Sequence, residues 1–386
     1  MMDGSSIRLA EQFRSVFLNK IDPEIRERCR EETTKYPEDI VAVQRVLNEH
    51  GLAVPHWPTE WGGRNWTPWE HHLLMREMGR AGVPEPLTFN VDMIGPVIAR
   101  FGTEEQKARF LGPTANLDIW WCQGFSEPDA GSDLAALRTR AELHGDHFVV
   151  NGQKAWTTYA QHADWMFALV RTDGNAVKKQ AGISLILIDM SSPGVEVRPI
   201  RLIDGSHEVN EVFLTDVKVP RENIVGDLNS GWSYAKFLLS NERARIARVG
   251  VTRSKIERIK RLAGEDLGDG RGLLEDRFFR RRVAEIENQL MALESAEIRA
   301  ISETDFDGPG CGPILKLVGS QLQTRSAELL MDVAGRYGMV SEGPEKLAPL
   351  WSQRSSLEYL AWRKVEIYGG STEVQRMLIA SQLLGA

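Results

Sequence analysis

Cysteine is scarce in this sequence. Only Cys29, Cys122 and Cys311 occur in 386 residues, and they form no Cys-x-x-Cys spacing. A disulfide framework and a zinc site are therefore not expected. The histidines include no His-Glu-x-x-His motif, so no metal site is predicted. Few, dispersed cysteines are typical of a reducing compartment, and we expect a cytoplasmic location.

Long apolar runs and an excess of basic residues are also absent. No apolar run approaches the ~20 residues that a membrane span needs, and the first residues show no leader pattern. The formal net charge is −7. The densest basic patch, around Arg280–Arg282, lies in a helical pattern with acidic neighbours and is typical of a solvated face. Neither a membrane span nor a nucleic-acid partner is expected.

The chain is long enough to bury a substantial core. Its 386 residues and 42% hydrophobic side chains predict a globular protein of two or three domains. Over residues 1–118, apolar residues recur at three- and four-residue steps, which predicts a helical N-terminal domain. Thr103 is expected to cap one helix. Other predicted helices include His71–Met78 and Ile94–Phe101.

Residues 119–228 change to an apolar period of two. Short strands separated by Gly, Asp, Asn and Pro, without intervening helices, predict an antiparallel sheet or a small barrel. His147–Gly152 is predicted as a strand that runs into a turn. The other predicted strands are Trp165–Val170, Ile183–Ile188, Val195–Ile200 and Val212–Val217.

Residues 229–386 return to the helical period and predict a C-terminal helix bundle. The last two helices are predicted over Ser352–Ile367 and Thr372–Leu384. The clearest stripe alternates steps of four and three residues at Phe279, Val283, Ile286, Leu290 and Leu293.

Two polar segments in the predicted sheet domain carry the functional signal. Trp121–Asp133 contains Ser-Glu-Pro-Asp-Ala-Gly-Ser-Asp, and Asn151–Thr158 reads Asn-Gly-Gln-Lys-Ala-Trp-Thr-Thr. By composition alone, the first segment would be an ordinary polar turn. Together, in this order and at this distance, the two segments resemble the flavin-binding loops of the acyl-CoA dehydrogenase family.

The resemblance covers nearly the whole chain and implies a fold. The expected fold is mainly α-helical with a central antiparallel β domain. It would comprise a helical N-terminal domain (1–118), a β-barrel-like middle domain (119–228) and a C-terminal four-helix bundle (229–386). Such a chain is expected to assemble into a tetramer.

The resemblance also implies FAD as the cofactor and names its contacts. Phe125, Ser126, Trp156 and Thr158 would contact the isoalloxazine ring, and Ser132 would lie near the flavin or the pantetheine arm of the substrate. The Trp156 ring offers a face for packing, and the hydroxyl groups can polarise a flavin that accepts hydride. A core aromatic at a sheet edge is the alternative for Trp156.

A second cofactor contact is predicted near the C-terminus. Gly369-Gly370-Ser371 opens a helix, whose free N–H groups suit a pyrophosphate or a ribose. Ser371 and Glu373 are therefore predicted to bind the cofactor. A helix break with a serine cap explains the same residues.

Glu242 is the predicted catalytic base. It follows Leu238 by four residues and precedes Ile246 by four, so its carboxylate lies on the apolar face of a predicted helix within Trp232–Gly250. Such surroundings raise the pKa of a carboxyl and improve it as a base. An ion pair of Glu242 with Arg243 or Arg245 is the structural alternative.

The family resemblance supports Glu242 as the base, although the sequence departs from the motif that carries the base in most members. Most members carry the base in a C-terminal Tyr-Glu-Gly-Thr motif, whereas this chain has Tyr368-Gly369-Gly370-Ser371. Other branches carry the base in a Glu-Arg pair on the bundle helix, which Glu242 and Arg243 match. Arg243 is predicted to contact the substrate, and Gly369 would leave room for a wider acyl group.

Two further departures concern the adenine half of FAD, which a neighbouring subunit usually holds in this family. The Arg-x-x-Phe-Gly pattern is missing from Arg271–Arg277, and Met331–Gly338 lacks the family's Gln. We infer from the resemblance that a different, homologous subunit supplies these contacts. A heterotetramer of the kind associated with steroid side-chain breakdown is therefore expected.

The function implied is FAD-dependent α,β-dehydrogenation of an acyl-CoA thioester, with electrons passed to an electron-transfer flavoprotein. A flavin monooxygenase or oxidase on the same fold is one alternative, although such enzymes lack the carboxylate base. A non-catalytic subunit of a mixed complex is the other. The acyl group, the homo- or hetero-oligomeric state and the pathway do not follow from the sequence.

Overall fold

The computed structural model describes residues 4–31, 36–265, 272–302, 311–344 and 347–384. Within these ranges, the side chains of residues 240–246, 302, 383 and 384 are outside the description. Contacts divide the chain into two compact units. The first unit comprises residues 1–46, 66–85 and 243–386, and the second comprises 47–65 and 86–242. The domain boundaries at 118/119 and 228/229 stay predictions.

The first unit is helical. Its α4 helix begins with a capping box between Thr67 and Glu70, has Pro68 in its first turn and ends before Gly82 at φ +69°. Its helices are α1 (Gly4–Lys20), α2 (Pro23–Glu31), most of α3 (Pro37–Glu49), α4 (Pro68–Ala81), α8 (Val249–Ala263), α9 (Arg277–Ser302), α10 (Cys311–Ala334), α11 (Leu350–Ala361) and α12 (Thr372–Leu384).

The core of the first unit follows the apolar periodicity of the sequence. The predicted stripe from Phe279 to Leu293 lies on α9 and is buried, with 2–5% of each side chain exposed. It packs in one cluster with buried residues of α8 and α10 such as Ile256 and Leu322. The prediction of Thr372–Leu384 is confirmed. The helix predicted over Ser352–Ile367 is shorter, because α11 ends at Ala361 and a 3₁₀ segment follows.

The second unit carries one seven-stranded sheet in the order β1-β4-β2-β3-β7-β6, with β5 paired to β4. The predicted fold class is confirmed. Most pairings are antiparallel as predicted, but β1 pairs with β4 in parallel and β2 meets β4 at one parallel position. The strands are β1 (Trp121–Gly124), β2 (Arg140–His144), β3 (His147–Thr158), β4 (Trp165–Arg171), β5 (Ile183–Asp189), β6 (Val195–Ile200) and β7 (Val209–Pro220).

Strand β3 differs from its prediction. The expected turn at Asn151-Gly152 is wrong, because pairing with β7 continues to Thr158. The ladder shifts register between Val150 and Gly152 and again between Lys154 and Thr157. A Cβ at Gly152 would overlap Thr139, so the first irregularity requires a glycine. The second motif segment therefore lies within one long strand whose pairing with β7 is irregular at two points.

The second unit also contains α5 (Gly95–Phe101), α6 (Glu104–Asn116) and most of α7 (Gly231–Ile246). A π-helical turn covers Phe89–Ile94 and contacts β1. The fully buried Asn90 donates to Thr114 O and Ile119 O, and its Oδ1 accepts from Trp121 N. This side chain fixes the end of α6 to the first residue of β1. In the described part of the chain, no helix is long and apolar enough to cross a membrane.

Candidate active site

The loop after β1 begins with a buried aromatic residue. Phe125 is 5% exposed, and its ring meets Phe167 of β4 edge-on at 5.8 Å between centroids. Phe167 in turn lies 6.5 Å from Phe89 of the π-helical turn. Ser126, the next residue, is half-buried. Aromatic packing therefore fixes the position of Phe125, the residue at which the loop leaves the sheet.

A buried ion pair ties this loop to β3. Lys154 Nζ lies 2.8 Å from Glu127 Oε1, and the lysine side chain is completely buried. The other partners of Glu127 are backbone donors, Arg138 N at 2.6 Å and Thr139 N at 2.9 Å. Burial would raise the pKa of Glu127, but Lys154 and these N–H groups hold it below its usual value. Both oxygens of the Glu127 carboxylate are therefore hydrogen-bonded.

Lys154 reaches two further backbone oxygens. Its Nζ donates to Leu169 O at 2.7 Å and to Phe125 O at 3.3 Å. Burial lowers the pKa of this ammonium group to about 8, against the opposing effect of Glu127. Sequence reasoning missed this pair, although both residues lie inside the quoted motifs. Lys154 shares the parity of Phe148 and Val150, so a lysine on the buried face of a strand was the available signal.

Trp156 lies at the second irregularity of β3. Its backbone has φ +60°, in the left-handed region that non-glycine residues rarely adopt, and 61% of the residue is exposed. The alternative interpretation as a core aromatic is therefore wrong. A strained backbone that turns a large apolar ring outward is typical of functional positions. The contact of this ring with a flavin stays a prediction.

The end of β3 is held by a polar network. The fully buried Asn210 donates to Thr157 O at 3.1 Å and to Gln161 Oε1 at 2.6 Å. Its Oδ1 accepts from His207 Nε2 at 2.7 Å. Tyr159 N donates to Glu208 O nearby. Hydrogen bonds to Thr157 and Tyr159 therefore hold the end of β3, where the half-buried Thr158 lies.

A cavity of about 690 Å³ adjoins this network. None of the sequence-predicted site residues lines it. Its polar lining residues are Gln161, Asp164, Asp189, Ser191, His207 and Asn210. Within the described residues, no group of three or more His, Cys, Asp or Glu side chains is arranged to hold a metal ion.

Ser132 lies in the outer part of the loop. Gly131, Ser132 and Asp133 are all exposed, and a short 3₁₀ turn, Leu134–Ala136, follows them. The structure therefore leaves the Ser132 hydroxyl accessible to a ligand. Its contact with a flavin or a pantetheine arm stays a prediction.

The side chains of Glu242 and Arg243 lie outside the described residues. The helix that carries them, α7, ends at Ile246, and α8 begins at Val249 after Arg248 at φ +45°. The stripe predicted over Trp232–Gly250 is therefore divided between two helices. Leu238, on the face predicted for Glu242, is completely buried.

Ser371 and Glu373 belong to the first unit, at the start of α12. Ser371 Oγ accepts from Val374 N at 3.4 Å, as an N-cap does. Hydrogen bonds from its own backbone N–H and from Ser371 lower the pKa of Glu373, which is exposed. The capping interpretation of Ser371 fits the structure, and the cofactor role of both residues stays a prediction.

The glycine pair before this helix has a specific conformation. Gly369 and Gly370 have φ +64° and +92°. Gln375, fully buried, donates from Nε2 to both of their carbonyl oxygens at 3.1 Å. A Cβ at Gly370 would overlap that nitrogen. Glycine at position 369 thus suits a left-handed backbone that a glutamate would strain.

The residues of the second unit fit a flavin ring. A flavin needs an apolar face for packing and hydrogen-bond partners at its edge, which the exposed Trp156 and the hydroxyls of Ser126 and Thr158 supply. Between them, Thr157 Oγ1 is buried with no hydrogen-bond partner among the described residues. This donor set suits a planar, amphipathic ligand.

Comparisons with known proteins identify similar chains over the full length. Family models for the acyl-CoA dehydrogenase N-terminal, middle and C-terminal domains match residues 6–118, 122–217 and 229–384. The chain is 35% identical to the acyl-CoA dehydrogenase IpdE1 of Mycobacterium tuberculosis over 336 residues, which cover 87% of this chain and 85% of that protein.

Two solved structures are similar throughout. The ChsE4-ChsE5 complex from Mycobacterium tuberculosis gives a TM-score of 0.85 at 30% identity, covering 100% of this chain and 98% of the other. The Tcur3481-Tcur3483 steroid ACAD gives 0.86 at 28% identity with the same coverage.

Proposed function

The chain belongs to the acyl-CoA dehydrogenase family, whose members are FAD-dependent flavoproteins, and we propose that it desaturates a steroid-derived acyl-CoA thioester between its α and β carbons. The observation that carries the proposal is the pairing of the two motif segments. The ion pair between Lys154 and Glu127 connects the two segments, and Trp156, two residues after Lys154, is 61% exposed. A flavin ring needs an apolar face for packing and hydrogen-bond partners at its edge, which this arrangement offers.

Glu242 is the proposed base. The thioester carbonyl acidifies the α carbon, and the Glu242 carboxylate takes the α proton. FAD, when bound, supplies the acceptor for the hydride of the β carbon. Loss of one proton and one hydride leaves the C=C bond, so atoms and electrons balance. Leu238, one helical turn earlier on the same predicted face, is completely buried, which is consistent with a base in apolar surroundings.

The remaining chain contacts are assigned to the substrate and the cofactor. Arg243, the residue after the proposed base in the sequence, is assigned to the substrate. The Ser132 hydroxyl, on the exposed part of the loop, is available to the pantetheine arm or the flavin edge. Ser371 and Glu373 are assigned to the cofactor through the N-terminus of α12, where N–H groups favour an anion.

The substrate class and the subunit arrangement are proposed from the comparisons. One similar structure is titled a steroid ACAD, and that structure and the ChsE4-ChsE5 structure are each named as a pair of chains. Large apolar side chains are exposed in the first unit, including Met339 at 84% and Ile367 at 70%. A further subunit would cover such residues where they form a contiguous patch. We assign a homologous chain to that place and an electron-transfer flavoprotein as the electron acceptor.

The test is anaerobic reduction of the flavin by a panel of straight-chain, branched and ring-bearing acyl-CoA thioesters. Replacing Glu242 with Gln removes the base, and we expect the reduction rate to fall about 10²–10⁴-fold. Glu257→Gln, an exposed glutamate on α8, is the matched control and should reduce at the native rate.

Each outcome has a distinct meaning. Retained bleaching in the Glu242→Gln variant would reassign the base. Preference for straight chains would contradict the steroid-derived substrate. A native complex without flavin colour would favour the non-catalytic subunit instead.

A further inference from the structure

Lys154 connects three separate segments of the second unit. Its Nζ bonds Phe125 O in the loop after β1, Leu169 O in β4 and Glu127 Oε1. An ammonium group has three N–H donors, so this set uses all of them. Because the side chain is 0% exposed, no water competes for these bonds. The group is fully engaged within the protein and touches no exposed surface.

The loop and strand are joined directly beside this lysine. Ala155 N donates to Ser126 O at 2.9 Å, which links the residue before Trp156 to the residue after Phe125. Glu127 closes the other side of the loop by accepting from Arg138 N and Thr139 N. The spacing between Ser126 and Trp156 therefore depends on the buried pair.

Stability alone does not account for a charged pair at this place. An ion pair taken fully out of water is often no more stabilising than apolar residues of similar volume. An apolar pair, however, has no donors for the carbonyl oxygens of Phe125 and Leu169. The distinctive contribution of Lys154 is directional bonding to the backbone of the loop.

We propose that Lys154 and Glu127 are positioning residues for the flavin: they set the distance and orientation between the Phe125-Ser126 edge and the Trp156 face without touching the cofactor. This inference rests on the proposed flavin contacts of those three residues. It adds that cofactor affinity and the flavin absorption spectrum depend on a pair buried behind the contact surface.

A single and a double variant distinguish two roles of the pair: positioning the loop after β1 and balancing the buried charge. Lys154→Met keeps the length of the side chain but leaves Glu127 unpaired, and the double variant Lys154→Met/Glu127→Gln restores neutrality without restoring the bonds to Phe125 O and Leu169 O. Lys218→Met is the matched control, because Lys218 is exposed on β7 and pairs with Val149 of β3. All variants are made in the full chain, purified with any subunit that it needs to bind FAD.

The first measurement is hydrogen–deuterium exchange without added FAD. We expect the double variant to unfold at nearly the native temperature but to exchange faster at residues 125–140 and 154–158. In the second measurement, its dissociation constant for FAD should rise about ten- to a hundredfold, the effect of losing charge-assisted hydrogen bonds. The visible bands of the bound flavin should also shift. The Lys218→Met control should match the native chain.

Two results would overturn the inference. One is recovery of native FAD affinity and spectrum in the double variant, since charge balance alone would then explain the pair. The other is a uniform rise in exchange across the sheet, which is the sign of a general loss of stability. Glu242→Gln distinguishes the underlying function, because it should slow reduction by substrate about 10²–10⁴-fold while leaving FAD affinity and spectrum native.

Discussion

Lys154 combines complete burial with a titratable charge. Burial lowers its pKa to about 8 from the ordinary value of 10.5. Between these values the unfolded chain binds more protons than the folded chain, so the contribution of this lysine to stability rises with pH. Below about pH 8 both states hold the proton, and the cost of burying the charge is fully present.

This linkage predicts a pH-dependent difference between the native chain and the Lys154→Met/Glu127→Gln variant. From about pH 8 to about pH 10, the free energy of unfolding of the native chain should rise relative to the variant, by at most about 1.4 kcal/mol per pH unit. Urea unfolding at several pH values measures it. Lys255, whose pKa burial also lowers to about 8, is common to both proteins and cancels. A difference that stays constant with pH would contradict the assignment.

Gly370 is a second residue whose identity the backbone dictates. It has φ +92°, and Gln375 Nε2 occupies the space of a Cβ. Gly370→Ala should therefore cost at least about 1–2 kcal/mol of unfolding free energy. Gly112→Ala is the control, because Gly112 lies in α6 with nothing within 4 Å of its Cβ position. That change should stabilise by up to about 1 kcal/mol, and equal effects in chemical unfolding would refute the strain at position 370.

At the scale of elements, the two irregularities of β3 and the π-helical turn depart from regular geometry. Regular alternation along β3 points Lys154 inward, and the second irregularity, which places an extra residue in β3 between Lys154 and Thr157, leaves Trp156 outward. The π-helical turn presents Asn90 to the junction of α6 and β1. Irregular turns inside helices occur frequently at functional sites. In this chain the second irregularity lies beside the loop after β1, because Ala155 N donates to Ser126 O.

Asn90→Ala tests the junction between α6 and β1. The change leaves Thr114 O, Ile119 O and Trp121 N without their side-chain partner, and we expect a loss of about 3 kcal/mol or more. Asn175→Ala, at an exposed position, should change the unfolding free energy by less than about 0.5 kcal/mol. Thermal and urea unfolding compare the two variants. Equal stability would mean that the junction does not depend on this side chain.

At the scale of the whole molecule, two segments that depart from the family's adenine-binding patterns bear on the proposed partner subunit. Met331–Gly338 lacks the family's Gln, and the next residue, Met339, is 84% exposed. The other segment with a departure begins at Arg271, which lies outside the described residues. Leu347 and Leu350 extend the exposed apolar positions of the first unit.

We expect the chain purified alone to hold less than one FAD per polypeptide. Addition of a homologous subunit that carries the Arg-x-x-Phe-Gly segment should restore the flavin, because that subunit would supply contacts to the adenine half. Flavin absorbance per chain and mass by light scattering measure both effects. Stoichiometric FAD and substrate turnover by the chain alone would contradict the mixed assembly.

Several features follow from the sequence because they depend on near neighbours. The stripe from Phe279 to Leu293 predicts α9, since residues three and four apart share a helix face. The period-two runs predict β4, β5 and β6 to within a residue. The N-cap at Thr103 was also predicted from the sequence, and the structure adds the reciprocal bond from Gln106. The two motif segments indicated the family.

Only the tertiary structure decided which distant residues meet. The Lys154–Glu127 pair spans 27 positions, and the parallel pairing of β1 with β4 joins strands separated by a hairpin. Strand parity indicates that Lys154 is buried, but the sequence does not show its partner or which strand pairs with β1. The left-handed backbone of Trp156 arises where the β3–β7 ladder loses register. Local propensity gives each segment its regular form, whereas packing between remote segments sets the irregular positions, and the proposed chemistry depends on those positions.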